Sequence, residues 1–544
     1  MKPWSDTYRR YGIPASVDVD GHPSVVHLLE SAMRQYAGRP AFRSFGHSLT
    51  YAEVDKLSAD FAAWLQHRLG VKQGDRVAVM MPNLLAFPIA CLGILRAGAV
   101  QVNVNPLYTP RELEHQLNDA GAEVIVIFDG STPTLAEIVA RTPIRHVVTT
   151  GLGDGSGKVL PGPAADARLA GTVKLVDALA EGAGLERQPV TISGADPAFL
   201  QYTGGTTGLS KGACLSHRNL VANTMQFRAV VGTALGDGDD VIVTALPLYH
   251  IFALMVSMIA YASAGAESWL VANPRDMDAF VGVLKQARPT AFAGVNTLYA
   301  GLAAHPRAKE IDFSRLRFAV GGGSSILPST AARWKAITGK DICEGYGLSE
   351  TSPVLTLNPP SLGEFTATTG LPVPGTDIVL LGDDGRDVPP GEAGEVCAKG
   401  PQVMAGYWNQ PQANEAAFTK DGYFRTGDIG RFDERGFLKL VDRKKDMVLV
   451  SGFNVFPNEI EAVASAFPGV AECACIGVPD ERTGEAVKLF VVKAAGAALT
   501  EDTVKAHCQR ELAAYKVPRS VRFLDALPKS TVGKILRREL RGVD

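Results

Sequence analysis

The chain has 544 residues, 46% of them apolar and 20% charged, with a net charge of −3. That length exceeds one ordinary domain, and that apolar share supplies a large core. Two or more folded units are expected, and long disordered tracts are argued against. A slight acidic excess speaks against nucleic acid as the partner, because that binding rests on a basic surplus. Seven cysteines, an odd number in so long a chain, do not make a disulfide framework and suit a reducing compartment. The start, Met1-Lys-Pro-Trp-Ser-Asp6, has no apolar signal core. The longest apolar run, Ile251–Ala266, is shorter than the ~20 residues of a spanning helix. It reads as a buried helix, with peripheral membrane contact left open.

In chain order, His27–Tyr36 has helical spacing. Thr50 followed by Glu53 forms a capping box that starts a helix running to about Leu69. Arg76–Met81 is a strand of buried type, Leu85–Ala97 an apolar helix and Glu123–Phe128 another strand. This alternation predicts an α/β fold with mainly parallel sheets. The stretch Gly151–Gly171 is rich in Gly, Pro and Ala and reads as a surface excursion without chemistry.

The centre of the chain is Tyr202-Thr-Gly-Gly-Thr-Thr-Gly-Leu-Ser-Lys-Gly212. Glycines bare the backbone, Thr and Ser add short hydroxyls, and Lys211 adds one ammonium. A polyphosphate needs that mixture, because its charge must be met by many donors at once. The order is not G-x-x-x-x-G-K-[ST], which occurs nowhere in the chain. Short strands at Ala198–Gln201 and Ala213–Leu215 make it a loop between two strands rather than a strand-to-helix turn. A plain Gly/Thr surface loop is the competing reading, and the density of hydroxyls and lysine between apolar strands goes against it.

Next, Val241–Pro247 is a strand, and His250 opens the apolar helix. A lone His there is more often a packed core residue. Ala291–Thr297 and Phe318–Ser325 are strands running into small-residue turns. Ligands in open α/β sheets sit at such strand ends, so one crevice is expected. Ile342-Cys-Glu-Gly-Tyr-Gly-Leu-Ser-Glu350 repeats the theme. Tyr346 between glycines can lie against a base, and Glu350 offers a hard carboxylate for Mg²⁺; a tight turn explains the same residues. From about residue 370 to 441 short strands among Gly/Pro/Asp turns mark a smaller β-rich subdomain. It carries Asp428, whose paired acceptors suit ribose hydroxyls. Asp442-Arg-Lys-Lys-Asp446 is a charge run, either a solvated turn or a hinge. Beyond it, 447–544 is a small α+β domain. Its Cys473-x-Cys475 lies in an apolar strand and is read as core, not as a metal site. Lys534 follows Gly533 in a polar loop, free to reach another surface.

Taken together, Tyr202–Gly212, Gly345–Glu350, Tyr423–Asp428, Asp442–Glu461 and Pro528–Lys534 resemble the ordered motifs of the adenylate-forming superfamily over nearly the whole chain. Within it the chain is most similar to bacterial long-chain fatty acyl-CoA synthetases, through Gln201–Gly208, Thr244–Leu254, Gly294–Leu298 and Met447–Val455. Gly204 stands where many relatives have Ser, and Ser349 where Thr is commoner.

The resemblance implies a large N-terminal α/β domain (1–441), a hinge (442–446) at Lys445 and a mobile C-terminal domain. It implies attack of a fatty carboxylate on ATP to give acyl-AMP and pyrophosphate, then thioester formation with coenzyme A, with Mg²⁺ as cofactor. By the same resemblance Thr203, Gly204, Gly205, Thr206, Thr207, Gly208 and Lys211 hold phosphates, and Thr203 and Glu350 place the metal. Gly321, Gly322 and Gly323, with Glu344, Gly345, Tyr346, Gly347 and Ser349, surround the adenine. Asp428 and Arg443 take the ribose. Lys534 bridges the α-phosphate and the incoming carboxylate. His250, Gly294, Val295, Asn296 and Gly323 line the acyl site, and Gly452, Phe453 and Asn454 meet CoA. Catalysis falls to Lys534, His250, Glu350 and Thr203. The expected setting is cytoplasmic, with contact at the inner membrane face and a homodimer both open. An aryl-acid or medium-chain ligase shares every catalytic motif. A peptide-synthetase adenylation domain is disfavoured because Leu246–Met258 has no acidic residue to hold a substrate amine. Luciferase-type oxygenation adds no legible motif. A non-catalytic fatty-acid carrier is disfavoured because Lys211, Glu350 and Lys534 are all present.

Overall fold

The computed structural model describes residues 2–203, 210–451, 453–530 and 533–543. Local chemistry starts several helices. The Thr50–Glu53 capping box opens Tyr51–Arg68 as expected. Two helices passed over in the sequence reading begin the same way, Pro110–Ala120 at Thr109/Glu112 and His217–Val231 at Ser216/Asn219.

Among the described residues the body is built on two large sheets. In the first, the order is Val173–Lys174, His146–Thr150, Val124–Phe128, Arg76–Met80, Val100–Asn103, Pro197–Thr203 and Lys211–Ser216. Its strands are parallel until the last pair, which is antiparallel. The second has a parallel centre of Cys343–Gly347, Phe318–Gly321, Ala291–Gly294, Val241–Thr244, Glu267–Leu270 and Pro40–Ser44, with antiparallel strands at both edges. The predicted α/β class with mainly parallel sheets is therefore observed. Buried helices fill the space where the sheets' cores meet. Ala86–Arg96 has no exposed residue, and even Arg96 is 2% exposed. Its guanidinium is met by Asp55, by Ser58 Oγ at 2.8 Å and by Glu30 at 3.1 Å, so the charge is not buried alone.

The apolar run after His250 is a helix buried throughout Ala253–Ala260 with Phe252 half-buried at its start, but Ala253–Ala260 is wound as a π-helix, which apolar periodicity does not announce. The Gly151–Gly171 excursion has no regular secondary structure. It is not detached, since Leu169 is buried in the core beside the first sheet.

Buried amides lace the strand ends of the two sheets together. Asn83 donates to the carbonyls of Thr244 at 3.0 Å and Leu246 at 2.9 Å, and accepts from Leu248 N at 2.8 Å. Asn103 donates to Gln201 at 2.9 Å, and Gln201 donates to the carbonyl of Tyr249 at 3.0 Å. This fixes the residue before His250 against the strand that leads to Thr203.

A four-stranded antiparallel sheet, Asp377–Leu381, Gly394–Lys399, Phe424–Phe432 and Leu438–Arg443, follows the body. A separate sheet begins at Val448–Val450 and runs through Phe453–Val455, Val470–Asp480, Gly484–Lys493 and Ser520–Phe523, with its own apolar core. Cys473 and Cys475 lie buried in its longest strand as free thiols, which accords with the core reading. No helix among the described residues is long and apolar enough to cross a membrane.

Candidate active site

The two strands that flank the glycine-rich stretch pair with each other. Thr203 pairs with Lys211 and Tyr202 with Gly212 in an antiparallel ladder. The expected loop between two strands is thus observed at its flanks, while Gly204, Gly205, Thr206, Thr207 and Gly208 lie outside the described residues. A Cβ added to Gly212 would stand 3.0 Å from the Tyr202 ring, and the Tyr202 hydroxyl donates to Asp119 at 2.6 Å. The hairpin base is therefore rigidly packed. The strand ending at Thr203 touches the short turn Ser349–Thr351, which carries Glu350.

Further strand ends meet at Gly322 and Gly323. A Cβ at Gly322 would lie 3.3 Å from both the carbonyl of Gly345 and the ring of Phe252. A Cβ at Gly323, whose φ is +76°, would lie 3.5 Å from Lys534 Cε and from Val295. Gly322 and Gly323, in the turn after Phe318–Gly321, thus meet the turn after Ala291–Gly294, the strand Cys343–Gly347 and the start of the apolar helix. Gly347 tolerates no side chain, since a Cβ would be 1.7 Å from the carbonyl of Pro353. Gly321 and Gly294 are closed by Ile326 and the Tyr299 ring, so their role is close packing of strand ends. Val295 is buried. Asn296 accepts from Leu327 N at 3.0 Å and so clasps two of the turns together.

Lys534 reaches this crevice from the C-terminal domain. Ser530 anchors it: Ser530 N donates to the carbonyl of Lys534 at 2.7 Å, and Lys534 N donates to Ser530 Oγ at 3.1 Å. Gly533 is required, because its φ is +77° and a Cβ would stand 2.6 Å from Thr297 Oγ1. Burial, with Arg443 adding to it, lowers the Lys534 ammonium to about 8 against the opposing pull of Asp428 and Glu350.

Around it, Tyr346 donates from its hydroxyl to Asp428 Oδ2 at 2.6 Å, and Arg443 Nε faces Asp428 Oδ1 at 3.3 Å. Both Asp428 oxygens are engaged, with lone pairs left for further donors. Glu350 is 7% exposed, and burial raises its carboxyl group above the usual range. The Tyr407 hydroxyl donates to Glu350 Oε1 at 2.8 Å. Glu344 is buried, and burial pushes it up to about 8. Its Oε1 accepts from Ile326 N at 2.9 Å while Oε2 has no partner. A carboxyl kept neutral at ordinary pH fits that half-satisfied pocket. Ser349 is partly exposed at the start of the Glu350 turn.

His250 Nδ1 accepts from Phe252 N at 3.3 Å, which puts the ring proton on Nε2. Burial, reinforced by Lys534, lowers the imidazolium to about 3, so the ring is neutral. Lys445 sits between the third and fourth sheets. Burial lowers it to about 8. Neighbours pin both sides: Lys444 N donates to the carbonyl of Gly427 at 2.9 Å, and Asp442 Oδ2 accepts from Asn458 N at 2.8 Å. Asp446 meets Arg537 at 3.6 Å and Arg541 at 3.8 Å.

The structure does not bring the residues expected to meet CoA into the crevice. Phe453 is 56% exposed and stacks on Tyr515 at 4.9 Å, and Asn454 is exposed beside it. Gly452 lies outside the described residues. Among the described residues no group of three or more His, Cys, Asp or Glu could by itself hold a metal ion. Sequence reasoning missed Tyr407, Asn83, Asn103 and the bond from Gln201 to the Tyr249 carbonyl. Gly406-Tyr-Trp408, an aromatic pair inside a glycine-containing turn, was the one available signal.

The AMP-binding enzyme family matches residues 29–408, and the AMP-binding enzyme C-terminal domain matches residues 459–534. A long-chain-fatty-acid–CoA ligase of Yersinia pestis is 48% identical over 97% of this chain and 96% of its own. One of Salmonella typhimurium is 47% identical over 99% of this chain and 98% of its own. The crystal structure of ATP-bound MatB from Rhodopseudomonas palustris superposes with a TM-score of 0.84 at 33% identity, covering 95% of this chain and 98% of that one. With the family match spanning most of the body, and with these full-length relatives, the chain belongs to the AMP-binding enzyme family.

Proposed function

We propose that this protein is a long-chain fatty-acid–CoA ligase. It converts a fatty acid and ATP to acyl-AMP and pyrophosphate, then transfers the acyl group to coenzyme A and releases AMP. The observation that carries the reading is Lys534, delivered by a separate domain onto the Gly321–Gly323 turn beside Glu350, Asp428 and His250. Full-length likeness to ligases of that name supplies the substrate class.

In the first half-reaction a carboxylate oxygen bonds to the α-phosphorus, and the bond to the pyrophosphate oxygen breaks. Negative charge gathers at phosphorus, so fixed donors and cations govern the rate. The hairpin from Thr203 to Lys211 holds the outer phosphates. Lys534 spans the α-phosphate and the carboxylate, and the neutral His250 offers its Nε2 proton to the same carboxylate. Adenine rests on the Glu344–Gly347 strand beside Gly321–Gly323, and the ribose shares Asp428 with Tyr346 and Arg443. Thr203 and Glu350 would hold Mg²⁺. The buried carboxylate of Glu350, bonded to Tyr407 and in no ion pair among the described residues, suits an ion that takes few carboxylates and otherwise phosphate oxygens. When bound, the ion neutralises phosphate charge.

In the second half-reaction the CoA sulfur bonds to the acyl carbon and the bond to AMP breaks. Phe453 and Asn454 must then approach the crevice, and the segment around Lys445 is the pivot. The acyl chain lies along the apolar helix beyond His250. The enzyme works in the cytoplasm and takes its acid at the inner membrane face.

Partial reactions test the division of labour. Lys534→Ala should cut fatty-acid-dependent ATP–pyrophosphate exchange by ~10²–10³ and leave conversion of supplied acyl-AMP unchanged. Lys445→Pro fixes φ at the pivot and should slow thioester formation more than adenylation. Equal loss of both halves in both variants would contradict the assignment.

The pH profile follows from Lys534. Its proton is lost as pH rises through about 8, so adenylation kcat/KM should fall on that limb. In Lys534→Arg, whose guanidinium stays charged, residual adenylation should lack the limb. An unchanged limb in that variant would assign it to another group.

Each buried CH₂ adds about 0.8 kcal/mol, or roughly fourfold in kcat/KM, until the acyl site ends. AMP release measured from butyrate to stearate, with benzoate for comparison, should rise steeply toward long chains. A flat series, or preference for benzoate, would overturn the long-chain reading.

A further inference from the structure

The stretch Met404–Trp408 belongs to none of the motifs above, yet it is bonded to two of them. Cys214 N donates to the carbonyl of Gly406 at 3.0 Å, Trp408 N donates to that of Gly212 at 2.8 Å, and Ala213 bridges Tyr407. It therefore lies as an extra strand along the exit arm of the hairpin. On its other side Met404 N donates to the carbonyl of Glu350 at 2.8 Å. Asn414 holds it in place, accepting from Tyr407 N at 2.6 Å and donating to the Tyr407 carbonyl at 2.9 Å. Gly406 is needed for that clasp, since a Cβ there would be 2.8 Å from the Asn414 amide.

The Tyr407 side chain links the same two motifs. Its hydroxyl donates to Glu350 Oε1 at 2.8 Å, and its ring lies under the Lys211 ammonium at 5.4 Å. Among the described residues neither Lys211 nor Glu350 has an ion-pair partner within 4.0 Å. Two opposite charges in one crevice would gain by closing on each other, and a closed pair would leave less of either for a ligand. The phenol ring prevents that. It offers the ammonium a π face and the carboxylate a hydroxyl, and neutralises neither.

We propose that Tyr407 is a positioning residue that holds Lys211 and Glu350 apart and aimed, ready for the phosphates and the divalent cation of the nucleotide. This rests on the reading of Lys211 and Glu350 as the groups that meet the phosphates and the cation. Sequence motifs point to those two ends, and the structure adds the part between them.

The test is calorimetric titration of the full chain with ATP, with and without Mg²⁺, in the absence of any acid. Tyr407→Phe keeps the ring under Lys211 and preserves the packing. Binding of metal-free ATP should be unchanged, while the gain in affinity on adding Mg²⁺ should shrink by roughly tenfold. Tyr407→Leu removes the ring as well, and metal-free binding should weaken too, because Lys211 is freed to close on Glu350. In Tyr407→Leu carrying Glu350→Gln, the metal-free affinity should recover. If Tyr407→Phe shows the full Mg²⁺ gain, the positioning role is wrong while the reading of the site stands. If wild type shows no Mg²⁺ gain, and Glu350→Gln and Lys211→Met bind ATP as wild type does, both fall together.

Discussion

A lysine ammonium moved out of water is stable only where negative charge stands close by, and the arrangement of the crevice depends on that balance. Burial and Arg443 push the Lys534 proton off, while Asp428 and Glu350 hold it on. The result is an ammonium lowered to about 8, still charged at neutral pH but within reach of losing its proton just above it. A polyanion in the crevice would add negative charge to that balance and favour the protonated form. The same attraction would help to hold the small domain against the body, since its loop reaches the crevice through Gly533 and Lys534. In the reaction proposed above, release of pyrophosphate would remove much of that charge, and one electrostatic term would then couple domain position to reaction progress.

The body supplies what such a device needs from a scaffold. The parallel strands end at a common crevice, and glycine at those ends lets backbone, ligand and the incoming lysine approach closely. Asn83, Asn103 and Gln201 lock the two sheets together just below it, so the turns do not shift independently. The neutral His250, the paired Asp428 and the partly satisfied Glu344 are all consequences of burial in this dry seam.

Much of this was legible in the chain. The hairpin could be read from glycine, hydroxyl and lysine between apolar strands, because those residue types have few other uses together. The α/β class followed from alternating helices and buried strands, and the separate terminal sheet from the charged break at Asp442–Asp446. Lys534 reads in the sequence as an exposed lysine free to reach another surface, whereas the structure buries it against the Gly323 turn; the glycine before it proved necessary for steric reasons at Thr297. Other features were hidden because they are made between distant segments. Tyr407 acts through partners at 211 and 350, and Asn83 through partners at 244 to 248, and no local pattern links them. The π-winding of Ala253–Ala260 was hidden for another reason: a run that is apolar all round carries no periodicity from which to tell one winding from another.

The most direct test of the account is a crystal structure with a hydrolysis-resistant ATP analogue and Mg²⁺. The account requires the outer phosphates against the Thr203–Lys211 hairpin, the ribose on Asp428, and the Lys534 ammonium at the α-phosphate in the same molecule. A nucleotide bound away from the hairpin, or seated there with Lys534 turned out to solvent, would contradict it.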